Sequence, residues 1–234
     1  MDRPLFSLIV PAAGVGKRME ADIPKPYMQL GKHTVLEHTL SCFSGFSGLS
    51  EIIVSTSDPF KEQTEEILQR LFPGYVTRVV QGGAERQDSI FNALETVGEE
   101  IDLVAVHDAV RPFVSKSAVN NCLDAAFKTG GAILGVPVKD TIKKVGSKNQ
   151  VLGTPDRSEL WQAQTPQIFR RHILLKAYKN ARHTGAIGTD DASLVEMAGG
   201  EIQVVEASRD NFKLTYPLDF KIAKLLIEEK TQSA

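Results

Sequence analysis

Cysteine is nearly absent: Cys42 and Cys122 are the only two in 234 residues, and no CxxC pair occurs. That argues against a disulfide framework or a cysteine-based zinc module and leaves two reduced packing thiols as the expectation. Long apolar runs are missing as well, none approaching the ~20 residues that a membrane helix requires, so no membrane partner is expected. Neither charge sign is in excess, with 27 Lys plus Arg against 29 Asp plus Glu and a formal net charge of −2. General nucleic-acid binding calls for a basic surface and is disfavoured, whereas a local basic site for a small anion is not. Internal repeats, low-complexity tracts and long like-charge blocks are also lacking. The opening MDRPLFSLIVP has one basic residue and enters an apolar run at once, unlike a secretory leader. A cytoplasmic protein is therefore expected. What remains is ordinary globular composition, 42% apolar and 24% charged, long enough for a real core.

Short apolar, β-branched runs alternate with helix-period segments. Strands are read at Leu5–Pro11, Glu51–Ser57, Tyr75–Val80, Asp102–Asp108, Gly130–Val138 and Ile202–Glu206. Between and after them, helices are read at about 35–46, 58–72, 86–97, 115–128, 170–183, 190–198 and 217–229. Ser115 is expected to cap its helix, and the acids after Thr189 to cap theirs. Strand and helix in alternation imply parallel pairing with helices on both faces. The expected fold is one α/β domain over residues 1–234, a Rossmann-like, doubly wound, mostly parallel sheet. The polar stretch at about 139–160 breaks the alternation around Gly146-Ser147-Lys148-Asn149 and reads as a projecting β-hairpin arm.

Directly after the first strand stands Pro11-Ala12-Ala13-Gly14-Val15-Gly16-Lys17-Arg18-Met19. A glycine-rich turn there lets backbone N–H groups approach an anion. A dinucleotide fingerprint would need a small residue at Met19 and an acid closing the second strand. A Walker-type loop would need Ser or Thr at Arg18. Both fail. The turn instead carries Lys17, Arg18 and, after Pro24, Lys25, which suits either a solvated turn or a clamp around a polyphosphate.

The series PAAGVGKRM with Pro24-Lys25, Gln81-Gly82-Gly83-Ala84-Glu85-Arg86-Gln87-Asp88-Ser89, and Val106-His107-Asp108-Ala109-Val110-Arg111-Pro112-Phe113 resembles nucleotidyltransferases of the sugar-nucleotide pyrophosphorylase type. Further motifs are Pro137-Val138-Lys139-Asp140-Thr141-Ile142-Lys143, Asp156-Arg157, Ala163-Gln164-Thr165-Pro166-Gln167, Thr189-Asp190-Asp191-Ala192 and Asp210-Asn211-Phe212-Lys213-Leu214-Thr215. In this order, from residue 7 to about 225, the motifs resemble the 2-C-methyl-D-erythritol 4-phosphate cytidylyltransferase family. Pro26-Tyr27 and Glu206-Ala207-Ser208 depart from the family's usual pattern without removing a charge.

The resemblance implies transfer of CMP from CTP to 2-C-methyl-D-erythritol 4-phosphate with release of pyrophosphate. It implies Arg18, Lys25, Arg157 and Lys213 as catalytic, and Pro11, Ala12, Ala13, Gly14, Gly16, Lys17, Gly83, Arg86 and Ser89 as nucleotide-binding. Arg111, Asp140, Thr141, Arg157 and Lys213 would bind the acceptor. Asp108, at the end of the fourth strand, would ligate Mg²⁺, or else simply pair with Arg111. The arm carrying Arg157 would reach a second subunit of a homodimer. His107 reads as a packed histidine rather than a ligand. A ribitol-5-phosphate cytidylyltransferase and a non-catalytic nucleotide sensor on the same fold are the alternatives.

Overall fold

Along the first strand, β1 (Phe6–Pro11), side chains alternate between two apolar cores, which explains why its sequence is apolar but for Ser7. Phe6, Leu8 and Val10 enter one core and Ile9 the other. The computed structural model describes residues 4–14 and 23–232, with side chains to residue 229. A two-residue ribbon, β2 (Gln29–Leu30) and β3 (His33–Thr34), leads into α1 (Val35–Ser41). Then follow β4 (Leu49–Thr56), α2 (Lys61–Leu71), β5 (Val76–Gln81), α3 (Arg86–Leu94), β6 (Leu103–Val106), α4 (Lys116–Thr129) and β7 (Gly131–Pro137). The arm contributes β8 (Lys144–Val145) and β9 (Val151–Gly153), after which come β10 (Trp161–Arg170), α5 (Arg171–Thr184), α6 (Asp191–Met197), β11 (Gln203–Glu206) and α7 (Pro217–Gln232).

The main sheet has seven strands in the order β11-β7-β10-β6-β1-β4-β5. β1, β4, β5 and β6 run parallel to their neighbours in that group, and β11 runs parallel to β7. Helices α1, α2 and α4 cover one face, with Leu36, Leu40, Leu68, Val119 and Cys122 in that core. Helices α3, α5 and α6 cover the other through Ile90, Leu94, Leu174, Tyr178 and Val195. The expected mostly parallel, doubly wound α/β sheet is present. Ser115 caps α4, its hydroxyl accepting from the Ala118 N–H, and the helix ends on Gly130 at φ 98, where a side chain would be strained.

Two expectations needed correction. The helix read to residue 46 stops at Ser41, and turns fill the rest because Gly45 and Gly48 take φ of 74 and 86. More consequentially, Trp161–Arg170 is a ten-residue strand that the alternation did not show. It lies antiparallel between β6 and β7, with an irregularity between Ala163 and Gln167 and a cis peptide at Thr165-Pro166. The stretch read as an arm does contain a two-stranded hairpin, β8 with β9, and Val145, Val151 and Leu152 on it are exposed. Among the described residues, no helix is long and apolar enough to cross a membrane.

Candidate active site

The carboxyl ends of β1, β5 and β6 open into a cavity of about 650 Å³, where ligands are received in sheets of this type. Its β1 wall is Pro11, Ala12, Ala13 and Gly14, and the Ala12 N–H donates to the Ser55 carbonyl at 2.7 Å. The β5 wall is Gly83, Ala84, Glu85, Arg86 and Ser89. These walls touch at Gly82, where an added Cβ would lie 2.2 Å from the Ala13 Cβ, so only glycine permits the approach. Ser89, almost fully buried, accepts from the Gly83 N–H at 3.0 Å and donates to the Glu85 carbonyl at 3.1 Å. Its hydroxyl therefore shapes the turn that faces the cavity.

Asp108 forms the floor. Its carboxylate lies 3.1 Å from Arg111 Nε and 3.2 Å from Lys213 Nζ through Oδ2, and 3.4 Å from Arg86 Nε through Oδ1. Burial alone would raise the carboxyl's pKa, but Lys213, Arg86 and Arg111 outweigh it and hold Asp108 ionised well below the usual range. The backbone beneath is fixed by a directed chain of hydrogen bonds. The Asp108 N–H donates to Thr165 Oγ1 at 3.0 Å, and Thr165 Oγ1 lies 3.1 Å from His107 Nδ1. His107 Nε2 lies 3.1 Å from the Arg111 carbonyl, which can only accept. The imidazole therefore carries its proton on Nε2 and accepts at Nδ1 from the Thr165 hydroxyl. Burial first, then the nearby Arg111 charge, push its pKa down to about 4 despite these bonds.

Lys213 reaches the cavity because its neighbour is anchored: Leu214 is fully buried with Leu30, Val35, Phe113 and Ala223 of α7, and its N–H donates to the Val110 carbonyl. With its side chain 46% exposed, Lys213 is the most accessible member of the cationic group around Asp108. Lys25 enters from the other side, on a 3₁₀ turn whose Tyr27 stacks on Phe60 and hydrogen-bonds Thr56 and Thr64. Its ammonium donates to the Thr215 carbonyl at 2.5 Å, next to the Lys213 segment.

Of the residues singled out in the sequence, Pro11, Ala12, Ala13, Gly14, Lys25, Gly83, Arg86, Ser89, Asp108 and Lys213 meet at this cavity. Gly16, Lys17 and Arg18 lie outside the described residues. Arg111 sits behind Asp108, buried, with Nη1 donating to the Asn211 carbonyl at 2.8 Å. Asp140, Thr141 and Arg157 are on the arm, exposed and away from the lining, and Arg157 donates to the Lys139 carbonyl. Asp191 was not foreseen as part of the site. It is fully buried and pairs with Arg86, while its neighbour Asp190 makes the expected cap by accepting from the Ser193 N–H. A signal existed, since Asp191 shares a helix face with Leu194 and Val195 and so must point inward. Among the described residues, no group of three or more His, Cys, Asp or Glu gathers as a ready metal site.

The family model for 2-C-methyl-D-erythritol 4-phosphate cytidylyltransferase matches residues 6–229. The chain is 43% identical over 226 residues to the protein of that name from Symbiobacterium thermophilum, covering 97% of this chain and 94% of the relative. It is 40% identical over 230 residues to the one from Mannheimia succiniciproducens, covering 97% and 98%. The solved 4-diphosphocytidyl-2C-methyl-D-erythritol synthase of Anaerococcus prevotii superposes with a TM-score of 0.86 at 29% identity, over 97% of each chain. The 2-C-methyl-D-erythritol 4-phosphate cytidylyltransferase structure from Thermus thermophilus gives 0.76 at 31% identity, over 94% of this chain and 98% of that one.

Proposed function

The chain belongs to the 2-C-methyl-D-erythritol 4-phosphate cytidylyltransferase family, and we propose that CTP enters its cavity along the β1 and β5 walls while the acceptor phosphate docks at Lys213. The enzyme transfers CMP from CTP to 2-C-methyl-D-erythritol 4-phosphate in isoprenoid precursor biosynthesis, giving 4-diphosphocytidyl-2-C-methyl-D-erythritol and pyrophosphate. An acceptor phosphate oxygen forms a bond to the α-phosphorus of CTP as the bond to pyrophosphate breaks. The nucleophile is already an anion near neutral pH, so the step needs no general base. His107 agrees with that, being buried with both ring nitrogens in hydrogen bonds.

The difficulty is electrostatic, because two polyanions must meet and charge must move onto the leaving group. One cation ~4 Å from one phosphate charge contributes roughly 4 kcal/mol at an effective dielectric near 20. Lys25, with Lys17 and Arg18, would hold the triphosphate and stabilise the transition state. Gly14 and Gly16 would shape that loop, and Pro11, Ala12, Ala13, Gly83, Arg86 and Ser89 would surround the nucleoside. Lys213 would orient the acceptor, Arg111 would hold its loop, and Asp140, Thr141 and Arg157 would be delivered by the arm of a second subunit. The meeting of Lys25, Asp108 and Lys213 at one cavity beside the glycine turn is the observation that carries this reading.

The donor set fits Mg²⁺ held mainly by substrate phosphates, with Asp108 as the protein's carboxylate. Mg²⁺ commonly takes one or two carboxylates and keeps its other positions for phosphate and water. Asp108 Oδ1, whose contact to Arg86 is long at 3.4 Å, is the oxygen available. Bound there, the ion would neutralise charge on the phosphates. A single 1–234 catalytic domain, a homodimer with exchanged arms and a cytoplasmic setting complete the proposal.

Pyrophosphate release should require CTP, Mg²⁺ and 2-C-methyl-D-erythritol 4-phosphate together. Equal turnover with ribitol 5-phosphate would point to the sister activity, and turnover with neither acceptor to a sensor. Lys213→Ala should lower kcat about 100-fold or more while CTP still binds. Loss of CTP binding in that variant would overturn the division of the cavity.

A further inference from the structure

Arg86 is placed at the nucleotide end of the cavity by the reading above, on which this inference rests, yet its guanidinium fork is taken up by Asp191, which does not line the cavity. Nη1 donates to Asp191 Oδ1 at 3.2 Å and Nη2 to Asp191 Oδ2 at 2.9 Å. Only the Nε edge is turned toward Asp108, at 3.4 Å. Asp191 is itself held on every side. Its Oδ1 also accepts from the Tyr178 hydroxyl at 2.5 Å, and the side chain is fully buried. Gln167 of β10 donates to Asp190 Oδ2 at 2.7 Å and accepts from the Ala192 N–H at 2.9 Å, pinning the start of α6. Gln87, the neighbour of Arg86, donates to the Ala186 carbonyl and accepts from the Gly188 N–H, tying α3 to the segment before α6. One strand, β10, thus fixes both ends of the Asp108–Arg86–Asp191 line, through Thr165 at one end and Gln167 at the other.

We propose that Asp191 is a positioning residue for the transfer reaction, one that keeps Arg86 turned onto Asp108 and off the triphosphate. The bidentate pair is geometrically specific and its carboxylate is fully buried, so it holds the guanidinium plane in a way that a single charge contact would not. It also neutralises Arg86. The triphosphate then meets Lys25 with Lys17 and Arg18, the acceptor meets Lys213, and pyrophosphate leaves without a further cation gripping it from the cavity wall. One-third of the Arg86 side chain is exposed even while paired, so an Arg86 freed from Asp191 can swing to the phosphates. It would bind CTP and pyrophosphate more tightly.

The test is Asp191→Asn, assayed for kcat, for KM of CTP and for product inhibition by pyrophosphate. The expected result is a kcat lowered about tenfold or more, an unchanged or lower KM for CTP, and a pyrophosphate inhibition constant lowered several-fold. A purely structural role would raise KM and weaken pyrophosphate binding instead, and that outcome overturns the proposal. Two further variants hold it to account, including if Asp191→Asn does not fold. Arg86→Lys keeps the charge but cannot span both carboxylates, and should show the same loss of kcat; wild-type kcat overturns the proposal. In an Arg86→Met background the Asp191→Asn effect on kcat should vanish; an undiminished effect also overturns it. Failure of the underlying reading is seen separately, as absence of acceptor-dependent pyrophosphate release in the unmodified enzyme.

Discussion

His107 and Asp108 are adjacent in the chain and lie in opposite electrostatic settings. Asp108 is buried among three cations and stays charged, whereas His107, buried beside Phe43 and Arg111, stays neutral. The histidine makes a pH prediction whose sign can be worked out. Its folded pKa of about 4 lies below the ordinary 6.5, so between these values the unfolded chain binds a proton that the folded chain does not. Stability therefore rises with pH through that window. The contribution is complete above about 6.5 and is lost as pH falls toward 4, amounting to about 3 kcal/mol. Urea unfolding midpoints measured from pH 7 to pH 4 should fall, and His107→Gln should flatten that dependence. Parallel pH dependences in the two proteins would show that His107 is not the group responsible. Activity should show no step near pH 6.5 from this residue, because its nitrogens hold backbone and hydroxyl partners rather than substrate.

Elements matter through where they end. The β5–α3 turn approaches the β1 turn so closely that Gly82 leaves no room for a Cβ, which would meet Ala13 at 2.2 Å. Gly82→Ala must push the two walls apart at the proposed nucleoside end. A stability loss of about 1–3 kcal/mol is expected from the overpacking. KM for CTP should rise about tenfold, with the KM of the acceptor nearly unchanged. Equal effects on both substrates would mean that the two ends of the cavity are not separable in this way. The glycine turn was legible in the sequence because β1 and β6 are short runs, apolar but for Ser7, that announce where a sheet buried on both faces begins and ends. Strand β10 was not legible. It opens Trp161-Gln162-Ala163-Gln164-Thr165-Pro166-Gln167, and its buried polar side chains, Gln164, Thr165 and Gln167, reach other elements rather than fill a core. Gln164 bonds Asn211 and Ser208, Thr165 bonds Asp108 and His107, and Gln167 bonds α6. A strand that works as a connector carries no apolar period to read. Asp191 was missed for a related reason, since an acid at a helix start already has a sufficient explanation as a cap.

A formal charge of −2 over 234 residues conceals a local arrangement in which Arg86, Arg111 and Lys213 crowd one carboxylate and Lys25 stands nearby. In one chain, three of the residues proposed to bind the acceptor stand away from that arrangement. Asp140, Thr141 and Arg157 lie on the exposed arm, and the arm displays Val145, Val151 and Leu152, each more than half exposed, with Ile142 and Trp161 beside them. Apolar side chains gathered on a thin two-stranded projection, which has little core of its own, suit contact with another surface. If the arm crosses a two-fold axis, each cavity uses Lys213 of one subunit and Arg157 of the other. Arg157→Ala and Lys213→Ala homodimers should then each be inactive, while a mixture refolded or co-expressed in equal amounts regains activity. In a mixed dimer, the subunit carrying Arg157→Ala keeps its own Lys213 and receives an intact arm, so one of the two sites is whole. Random pairing makes half the dimers mixed, so recovery should approach about one quarter of wild-type activity per subunit. A mixture as inactive as its parents, in material shown by light scattering to have exchanged subunits, would place Arg157 and Lys213 in the same chain's site.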